Sequence, residues 1–330
     1  MRTPEPLVEI VSTGRYLPEH VVSNADMEAL VDTSDEWIRE RTGIRERRIA
    51  DRDTSVAYMG AESATFAMKR AGVEPEDVDL LIVSTATPDR LLPSTACDIQ
   101  AVIGANKAVA FDLAAACSGF LYGLSMAEGY ITAGRAEVAL VVSTEKMSSI
   151  IDWEDRGTCV LFGDGSGAAV VKRSDGSRGI VSSYHRSDGR LAELLHRPGG
   201  GAALPLDAAV LANKDHLVKM SGRGVFKNAV RCMVDGADTA LKNAGLTGSD
   251  IDLMIPHQAN IRIIEATAKY SGIPDDKVFV NVDRYGNMSS ATIPVAMDEA
   301  VEQGRLQSGM NVLAVAFGAG FTWGGMVLRW

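Results

Sequence analysis

Continuous apolar runs that alternate with helical patterns constrain the fold of this chain most strongly. Residues 79–84, 108–113 and 138–142 each form such a run, which is typical of parallel strands covered on both faces. Between such runs, residues 55–71 place apolar and small side chains at helical spacing. The alternation predicts an α/β fold in which helices connect the strands of a parallel sheet.

The second half of the chain repeats features of the first half. Residues 71–73 (Ala-Gly-Val) precede an apolar run at 77–82, and residues 244–246 (Ala-Gly-Leu) precede a similar run at 250–255. The glycine-containing segments 162–167 and 317–320 each lead toward another apolar run. We therefore predict a duplicated chain, with one unit over residues 1–173, a second over 174–330, and a site between them.

Charge and cysteine content exclude several classes of function. The 330 residues carry 33 basic and 43 acidic side chains, a net charge of −10, so we expect no binding to nucleic acid or to a membrane. The four cysteines are far apart and form no C-x-x-C pair, which argues against a metal cluster or a disulfide framework. With no signal-peptide pattern and no long apolar run, we expect reduced thiols and a cytoplasmic location.

One segment departs from the acidic balance. Residues 39–48 contain five arginines interspersed with glutamates. Such a run is most often a solvated face. The alternative is a docking surface for a phosphorylated ligand or an acidic partner.

Cys117 is the strongest candidate for a nucleophile. It follows three alanines after the run 108–113, and a helical pattern begins immediately after it. A cysteine at a strand-to-helix turn lies among free amides and the positive end of the helix dipole, which favour the thiolate. The alternative, a small buried hydrophobic residue, fits Cys97, Cys159 and Cys232 better.

Two polar residues in the second half have comparable positions. His257 follows the apolar run 253–256, and the carboxyl ends of parallel strands are where ligands bind in open α/β sheets. Asn287 lies in a turn that enters a helix, where it would cap that helix if it had no other role. The glycine-rich segments 163–167 and 318–320 do not match the dinucleotide-binding pattern G-x-G-x-x-G.

Six separated motifs occur along the chain. They are VDTSDEWIRERTGIRERR (31–48), AAACSGF (114–120), DRGTCVLFGDGSGAA (155–169), PHQANIRI (256–263), YGNMSS (285–290) and AFGAGFTWG (316–324). Together they resemble the β-ketoacyl-acyl carrier protein synthase III family of the thiolase superfamily. The resemblance implies a duplicated, five-layered αβαβα fold and a homodimer. It also implies an acyltransferase that condenses an acyl-coenzyme A primer with malonyl-acyl carrier protein. Coenzyme A would be a substrate, and no metal or resident cofactor is implied.

The resemblance also implies a role for individual residues. Cys117, His257 and Asn287 would form the catalytic triad, and the amides of Cys117 and Ala319 would form the oxyanion hole. Coenzyme A would contact Trp37, Arg41, Arg156, Gly222, Phe226 and Asn260. Carrier protein would contact Lys227 and residues Gln258, Ala259, Asn260, Ile261 and Arg262, and the acyl pocket would be shaped by Leu92, Met147 and Phe162.

Two residues depart from the family pattern. Met288 stands where threonine is usual, next to Asn287, and Ala319 replaces a common glycine. Ala319 retains the amide of the oxyanion hole if its backbone angles suit a residue with a Cβ.

Three other functions stay open. A relative of these synthases could acylate a non-malonyl acceptor in secondary metabolism. A cysteine hydrolase could use the same three residue types, although Trp37 and Arg156 favour a coenzyme A site. A non-catalytic subunit is disfavoured because all three polar residues are present.

Overall fold

Two mixed sheets form the centre of the molecule. The structure is a computed structural model, and it describes residues 5–330. The thirteen strands are β1 Val8–Tyr16, β2 Val21–Ser23, β3 Glu46–Arg48, β4 Leu80–Ser84, β5 Val109–Leu113, β6 Val138–Lys146, β7 Asp164–Arg173, β8 Gly179–Ser187, β9 Leu195–His196, β10 Lys219–Met220, β11 Leu253–Pro256, β12 Asn311–Gly318 and β13 Thr322–Arg329.

Within the described part of the chain, eleven α-helices connect and cover these strands. They are α1 Asn24–Glu28, α2 Asp35–Thr42, α3 Val56–Ala71, α4 Thr95–Ile103, α5 Gly119–Thr132, α6 Arg156–Cys159, α7 Ala208–Ala212, α8 Gly222–Ala244, α9 Ile261–Tyr270, α10 Val282–Tyr285 and α11 Thr292–Glu302. Short 3₁₀ turns include Ala116–Ser118 before α5 and Ser289–Ala291 before α11. Within residues 5–330, no helix has both the length and the apolar content needed to cross a membrane.

The sheets are arranged with similar topology in the two halves. The first has the order β1-β7-β6-β4-β5 and the second the order β11-β12-β13-β8. As predicted, β4 is parallel to both β5 and β6, and β11 is parallel to β12. The remaining pairs in these sheets are antiparallel. Strand β5 lies at the sheet edge, and 56% of Val109 is exposed, so the prediction that this run is fully covered is wrong.

The layers follow from which apolar faces are buried together. Helices α5 and α11 lie between the sheets, and their residues share one core with β4, β6, β11 and β12. Helices α3 and α4 cover the outer face of the first sheet, and α8 and α9 cover the outer face of the second. This order of layers is the predicted αβαβα arrangement.

The first match of the predicted internal repeat corresponds to equivalent structure in the two halves. Helices α3 and α8 both end at a left-handed glycine, Gly72 with φ 60° and Gly245 with φ 71°. Each glycine leads through a 3₁₀ turn into a parallel strand, and the strand registers correspond: Leu80 pairs with Ala139, and Leu253 pairs with Val312.

The second proposed match holds for the strands but not for the Phe-Gly pairs, since the apolar runs after these pairs form β7 and β13, which hold corresponding places in the two sheets. Phe317 and Gly318 end β12, whereas Phe162 and Gly163 precede β7. The two Phe-Gly pairs therefore occupy different places in the repeated unit, although both sheets have the same order of connections.

Candidate active site

Cys117 lies in a tight turn between β5 and α5. The preceding residue, Ala116, has a φ of 45°, and Cys117 itself is 8% exposed. The end of β12 approaches closely, since a Cβ on Gly318 would lie 2.7 Å from the Cys117 nitrogen. Glycine at 318 therefore allows the end of β12, and the turn after it, to lie against the amide of the nucleophile.

Burial decides the protonation state of the Cys117 thiol. Burial raises the pKa of this thiol to about 12. The Ser289 hydroxyl, 3.6 Å from Sγ, lowers the pKa, and the negative charge of Glu145 raises it. The expectation that the thiolate is favoured at this helix terminus is wrong, because the loss of hydration outweighs the effect of the helix dipole. Cys117 is therefore a thiol at neutral pH, and it must lose its proton during reaction.

His257 directly follows β11 and is held on two sides. Its backbone N–H donates to the Val315 carbonyl at 2.8 Å, and its Nδ1 lies 2.6 Å from the Thr292 hydroxyl. Burial lowers the pKa of His257 to about 3, so the imidazole is neutral at physiological pH. Because Thr292 occupies Nδ1, Nε2 is the ring nitrogen left for the cavity that His257 lines.

Asn287 has its side-chain orientation fixed by a backbone donor. The Ser289 N–H donates to Asn287 Oδ1 at 2.8 Å, and an N–H group cannot accept, so Nδ2 must be the free end of the amide. The Asn287 main chain also pairs with Leu161 and Gly163. Asn287 therefore presents two N–H donors and no acceptor from a rigid turn.

These three residues line one apolar cavity of about 170 Å³. The cavity continues outward along α8 past Gly222 and Phe226 and past Asn260 at the start of α9, and all three also border a wider mouth together with Arg41 and Arg262. The structure therefore brings together the predicted catalytic residues and three of the predicted coenzyme A residues.

A second apolar cavity of about 140 Å³ begins on another side of Cys117. Met147 and Phe162, both buried, line it as predicted for an acyl pocket. Leu92 does not line it, because the loop before α4 leaves Leu92 86% exposed. The expectation that Leu92 shapes this pocket is therefore wrong for the single chain.

Both departures from the family motifs are accommodated. Ala319 lines the second cavity beside Cys117 and is not among the described non-glycine residues with positive φ, so its Cβ causes no backbone strain. Met288 is fully buried with Tyr285, Ala291 and Val295. Its side chain therefore points into the core, away from the reacting groups.

Trp37 and two arginines form a closed stack at the protein surface. The guanidinium carbons of Arg41 and Arg156 lie 4.8 and 4.9 Å from the centre of the Trp37 ring, and Arg156 donates to the Asp32 carbonyl at 2.6 Å. The predicted adenine clamp between Trp37 and Arg156 is therefore closed, and a flat ligand would have to separate them.

The residues predicted to contact carrier protein divide into buried and exposed groups. Gln258 is fully buried, donates to the carbonyls of Pro256 and Phe279, and accepts from two backbone amides. Every polar group of its side chain is thus used internally, and the prediction that it contacts a partner is wrong. Arg262 and Lys227 are exposed, and Arg262 lies over the Phe226 ring at 5.4 Å.

The remaining residues of that segment are at or near the mouth of the cavity. Ala259 lines the catalytic cavity, and Ile261 begins α9 beside Gly43. Asn260 caps α9 by accepting from the Arg262 amide at 2.9 Å, and its Nδ2 donates to the Arg41 carbonyl at 2.8 Å. Asn260 therefore ties α2 to α9 as well as bordering the tunnel.

The arginine-rich segment does not act as one surface. Arg47 is fully buried, where it donates to the carbonyls of Val22 and Val160 and to Asn24. Arg39 pairs with Asp35 on α2 at 3.2 Å, while Arg41 lines the mouth. The five arginines of residues 39–48 therefore form neither one solvated face nor one docking surface, because the fold directs them to different places.

Comparisons with known proteins agree with this geometry. Residues 111–189 match the family described as 3-oxoacyl-[acyl-carrier-protein] synthase III, and residues 241–330 match its C-terminal counterpart. A β-ketoacyl-[acyl-carrier-protein] synthase III of Natranaerobius thermophilus is 47% identical over 98% of this chain and 99% of its own length. The chain belongs to the 3-oxoacyl-[acyl-carrier-protein] synthase III family.

Solved structures place the fold in the same family. The synthase III of Aquifex aeolicus VF5 superposes with a TM-score of 0.91 at 46% identity, covering 98% of this chain and 100% of the other. The priming β-ketosynthase of the R1128 polyketide biosynthetic pathway superposes with a TM-score of 0.89 at 36% identity, covering 99% and 98%.

Within this synthase III site, sequence reasoning missed three side chains. Ser289 contacts the thiol, Thr292 holds the imidazole, and Glu145 is a fully buried carboxylate beside the Asn287 turn. Ser289 and Thr292 lie close to Asn287 in the sequence, so a search around the motif could have found them. Glu145 lies at the end of β6, and nothing in its local sequence distinguishes it from an ordinary charged residue after a strand.

Proposed function

We propose that this chain condenses an acyl-coenzyme A primer with malonyl-acyl carrier protein. The product would be a β-ketoacyl-acyl carrier protein, released with coenzyme A and carbon dioxide. One observation carries the proposal: the Cys117 thiol, the neutral His257 ring and the amide donor of Asn287 line the same apolar cavity.

The first half-reaction transfers the acyl group to Cys117. Sγ attacks the thioester carbon, and negative charge develops on the carbonyl oxygen. The amides of Cys117 and Ala319 border this position, and losing one donor of such an oxyanion hole typically costs about 10²–10³ in rate. The apolar cavity lined by Met147 and Phe162 would receive the acyl chain.

The second half-reaction forms a carbanion by loss of carbon dioxide. The enolate oxygen of the decarboxylating malonyl group needs donors, and Asn287 Nδ2 would supply one. His257 Nε2 would supply a second in the tautomer in which the Thr292 hydroxyl donates to Nδ1 instead of to the Ser289 carbonyl. Neither residue is required to remove a proton from carbon, because carbon dioxide leaves in its place. The carbanion then attacks the acyl-Cys117 thioester and frees the thiol.

The same chemistry defines what the protein would bind. Coenzyme A enters as a substrate, with its pantetheine arm along Gly222, Phe226 and Asn260, and the reaction needs no resident metal or cofactor. Opening of the stack between Trp37 and Arg156 would admit the adenine, since a flat cation and an indole both attract an aromatic ring. Malonyl-acyl carrier protein would dock at the mouth beside Arg262.

A homodimer is part of this proposal. Strand β5 ends the first sheet with unpaired backbone groups, and exposed edges of this kind readily pair with another strand. Exposed apolar side chains lie on and around it, namely Leu91, Leu92, Val102 and Val109. A second copy would cover both the edge and these side chains.

Mass measurement of the intact protein tests the proposal most directly. After incubation with a panel of acyl-coenzyme A thioesters, we expect one acyl group on Cys117, and none on a Cys117→Ala variant with unchanged circular dichroism. Turnover of the acyl-enzyme by malonyl-carrier protein separates a synthase from an enzyme that acylates another acceptor or water. Acylation of Cys97, Cys159 or Cys232 instead would contradict the assignment.

A further inference from the structure

His257 can donate a hydrogen bond into the catalytic cavity in only one of its two neutral forms. A neutral imidazole carries one N–H group, so one ring nitrogen donates and the other accepts. Nδ1 lies 2.6 Å from the Thr292 hydroxyl, which leaves Nε2 for the cavity that His257 lines. The form with the proton on Nε2 can stabilise an enolate oxygen, whereas the form with the proton on Nδ1 presents only an acceptor there.

The Thr292 hydroxyl selects between these two forms. Within residues 5–330, no other side chain hydrogen-bonds either ring nitrogen of His257. Thr292 is the first residue of α11, and it is completely buried. If its single hydroxyl proton points to Nδ1, the ring proton has to lie on Nε2. If that proton points elsewhere, Nδ1–H donates to the hydroxyl oxygen and Nε2 is left bare.

The other acceptor for this hydroxyl is the main-chain carbonyl of Ser289, at 3.1 Å. That carbonyl already accepts from the Thr292 main-chain N–H, so it has a partner without the hydroxyl. Its distance from the hydroxyl exceeds the about 2.5–3.0 Å that is usual when an O–H group donates to oxygen. The 2.6 Å contact with Nδ1 is shorter than the about 2.7–3.2 Å usual when an N–H group donates to oxygen. Both distances favour the hydroxyl as the donor to Nδ1.

The turn that contains Ser289 also directs the second donor of the site. The Ser289 N–H donates to Asn287 Oδ1 at 2.8 Å, which leaves the Asn287 Nδ2 group free. The amide of Ser289 thus occupies the acceptor of Asn287, and its carbonyl occupies the amide of Thr292. The main chain of one turn therefore leaves two side-chain N–H donors, from Asn287 and His257, for the same cavity.

We propose that Thr292 is a positioning residue that donates its hydroxyl proton to His257 Nδ1 and thereby holds the ring as an Nε2–H donor. Its part in condensation rests on the proposed function, in which Nε2–H and Asn287 Nδ2 both donate to the enolate oxygen. With its proton on Nε2, the ring has no lone pair in the cavity with which to deprotonate Cys117. Thr292 thus assigns His257 to the second half-reaction and excludes it as the base of the first.

NMR of protein labelled with ¹⁵N-histidine tests this assignment without any substrate. Burial lowers the pKa of His257 to about 3, so the ring is neutral at neutral pH and one nitrogen carries the proton. We expect a protonated Nε2 and a bare Nδ1 that accepts a hydrogen bond, with the signals assigned by their loss in His257→Gln. A protonated Nδ1 with a bare Nε2 in the parent protein would overturn the proposal, whether or not any variant folds.

Thr292→Val links the form of the ring to the reaction, because a methyl group of similar size replaces the hydroxyl. We expect the Nδ1 signal to lose the shift of an accepted hydrogen bond and the protonated fraction of Nε2 to fall. Condensation by pre-acylated enzyme should slow about tenfold, the usual worth of one hydrogen bond between neutral groups, while acylation of Cys117 by acyl-coenzyme A changes little. Thr292→Ser keeps the hydroxyl and should retain both the parent signals and the parent rate.

The opposite division of effects would contradict the proposal. If Nδ1 donated to Thr292, Nε2 would be the base for Cys117, and Thr292→Val would slow acylation and iodoacetamide alkylation of Cys117 at least as much as condensation. Thr267→Val is the matched control, since Thr267 is also completely buried and its hydroxyl donates to the Ile263 carbonyl of its own helix at 2.8 Å. That control should keep the parent spectrum and the parent ratio of the two half-reactions. Equal changes in Thr267→Val and Thr292→Val would attribute the effect to packing and overturn the role of Thr292.

The spectra and the kinetics can fail separately. If the parent spectrum shows Nε2–H but no form of the protein condenses an acyl group with malonyl-carrier protein, the proposed function fails and the assignment of the Thr292 proton stands. If condensation occurs in a parent protein whose Nδ1 is protonated, the proposed function stands and the role of Thr292 is refuted.

Discussion

At the scale of single residues, the site is defined by which polar atoms are already used. Ser289 fixes Asn287 as a donor by occupying Oδ1, and Thr292 leaves only Nε2 of His257 for the cavity. Neither assignment depends on charge, because His257 is neutral and Asn287 cannot ionise in this pH range. The two side chains are therefore better suited to hydrogen-bonding an enolate than to removing a proton from a carbon acid.

Asn287→Asp is the sharpest test of that division of labour. The aspartate retains an oxygen for the Ser289 amide but replaces the free N–H donors with an acceptor. We expect condensation to fall by about 10²–10³, the cost of losing a donor to a developing oxyanion, while acyl transfer falls much less. Rapid-quench measurement of the two half-reactions checks this, and Asn287→Ala provides a variant without the added charge. Equal losses in both steps would refute the assignment.

Sequence reasoning succeeded with residues whose neighbours in the chain define their position. Cys117, His257 and Asn287 each follow a recognisable strand or turn motif, and the structure places all three on one cavity. It failed where distant segments decide the environment. The raised pKa of Cys117 comes from burial by β12 and the Asn287 turn. The side chain of Gln258 forms hydrogen bonds to residues more than twenty positions away in the sequence, which leaves none of its polar groups for a partner.

At the scale of elements, the edge strand β5 differs most from its predicted role. Its sequence has the apolar character of a covered strand, but only β4 pairs with it, and Val109 is more than half exposed. Apolar residues on a free edge are a liability that proteins usually hide. Sequence patterning predicts the strand but not its neighbours in the sheet, so it could not distinguish a central strand from one at the edge of a sheet.

Val109→Asp tests whether a second copy covers this edge. A carboxylate buried in a strand-to-strand interface is costly, so we expect the parent protein to sediment as a dimer and the variant as a monomer at micromolar concentration. Tyr270→Asp changes another exposed apolar residue, 69% accessible at the end of α9, and should leave the dimer intact. A parent protein that sediments as a monomer would contradict the homodimer.

At the scale of the whole molecule, the distribution of charge opposes the proposed partner. The protein carries a net charge of −10, and an acidic carrier protein would be repelled unless the mouth is locally positive. Arg41, Arg223 and Arg262 surround that mouth together with neutral residues. A local cationic rim on an acidic body would orient the partner as well as attract it, because repulsion elsewhere disfavours other encounters.

Reversal of one charge on this rim tests the docking surface. Arg262→Glu should raise the Michaelis constant for malonyl-carrier protein at low salt, and the defect should shrink as ionic strength rises, since screening limits steering to about 10 Å at 0.1 M. Acylation by a short thioester that lacks the nucleotide should change little, because Arg262 borders the mouth and not the cavity around Cys117. Lys69→Glu makes the same change of net charge on the exposed face of α3. If both variants weakened carrier-protein kinetics equally, total charge rather than the rim would control docking.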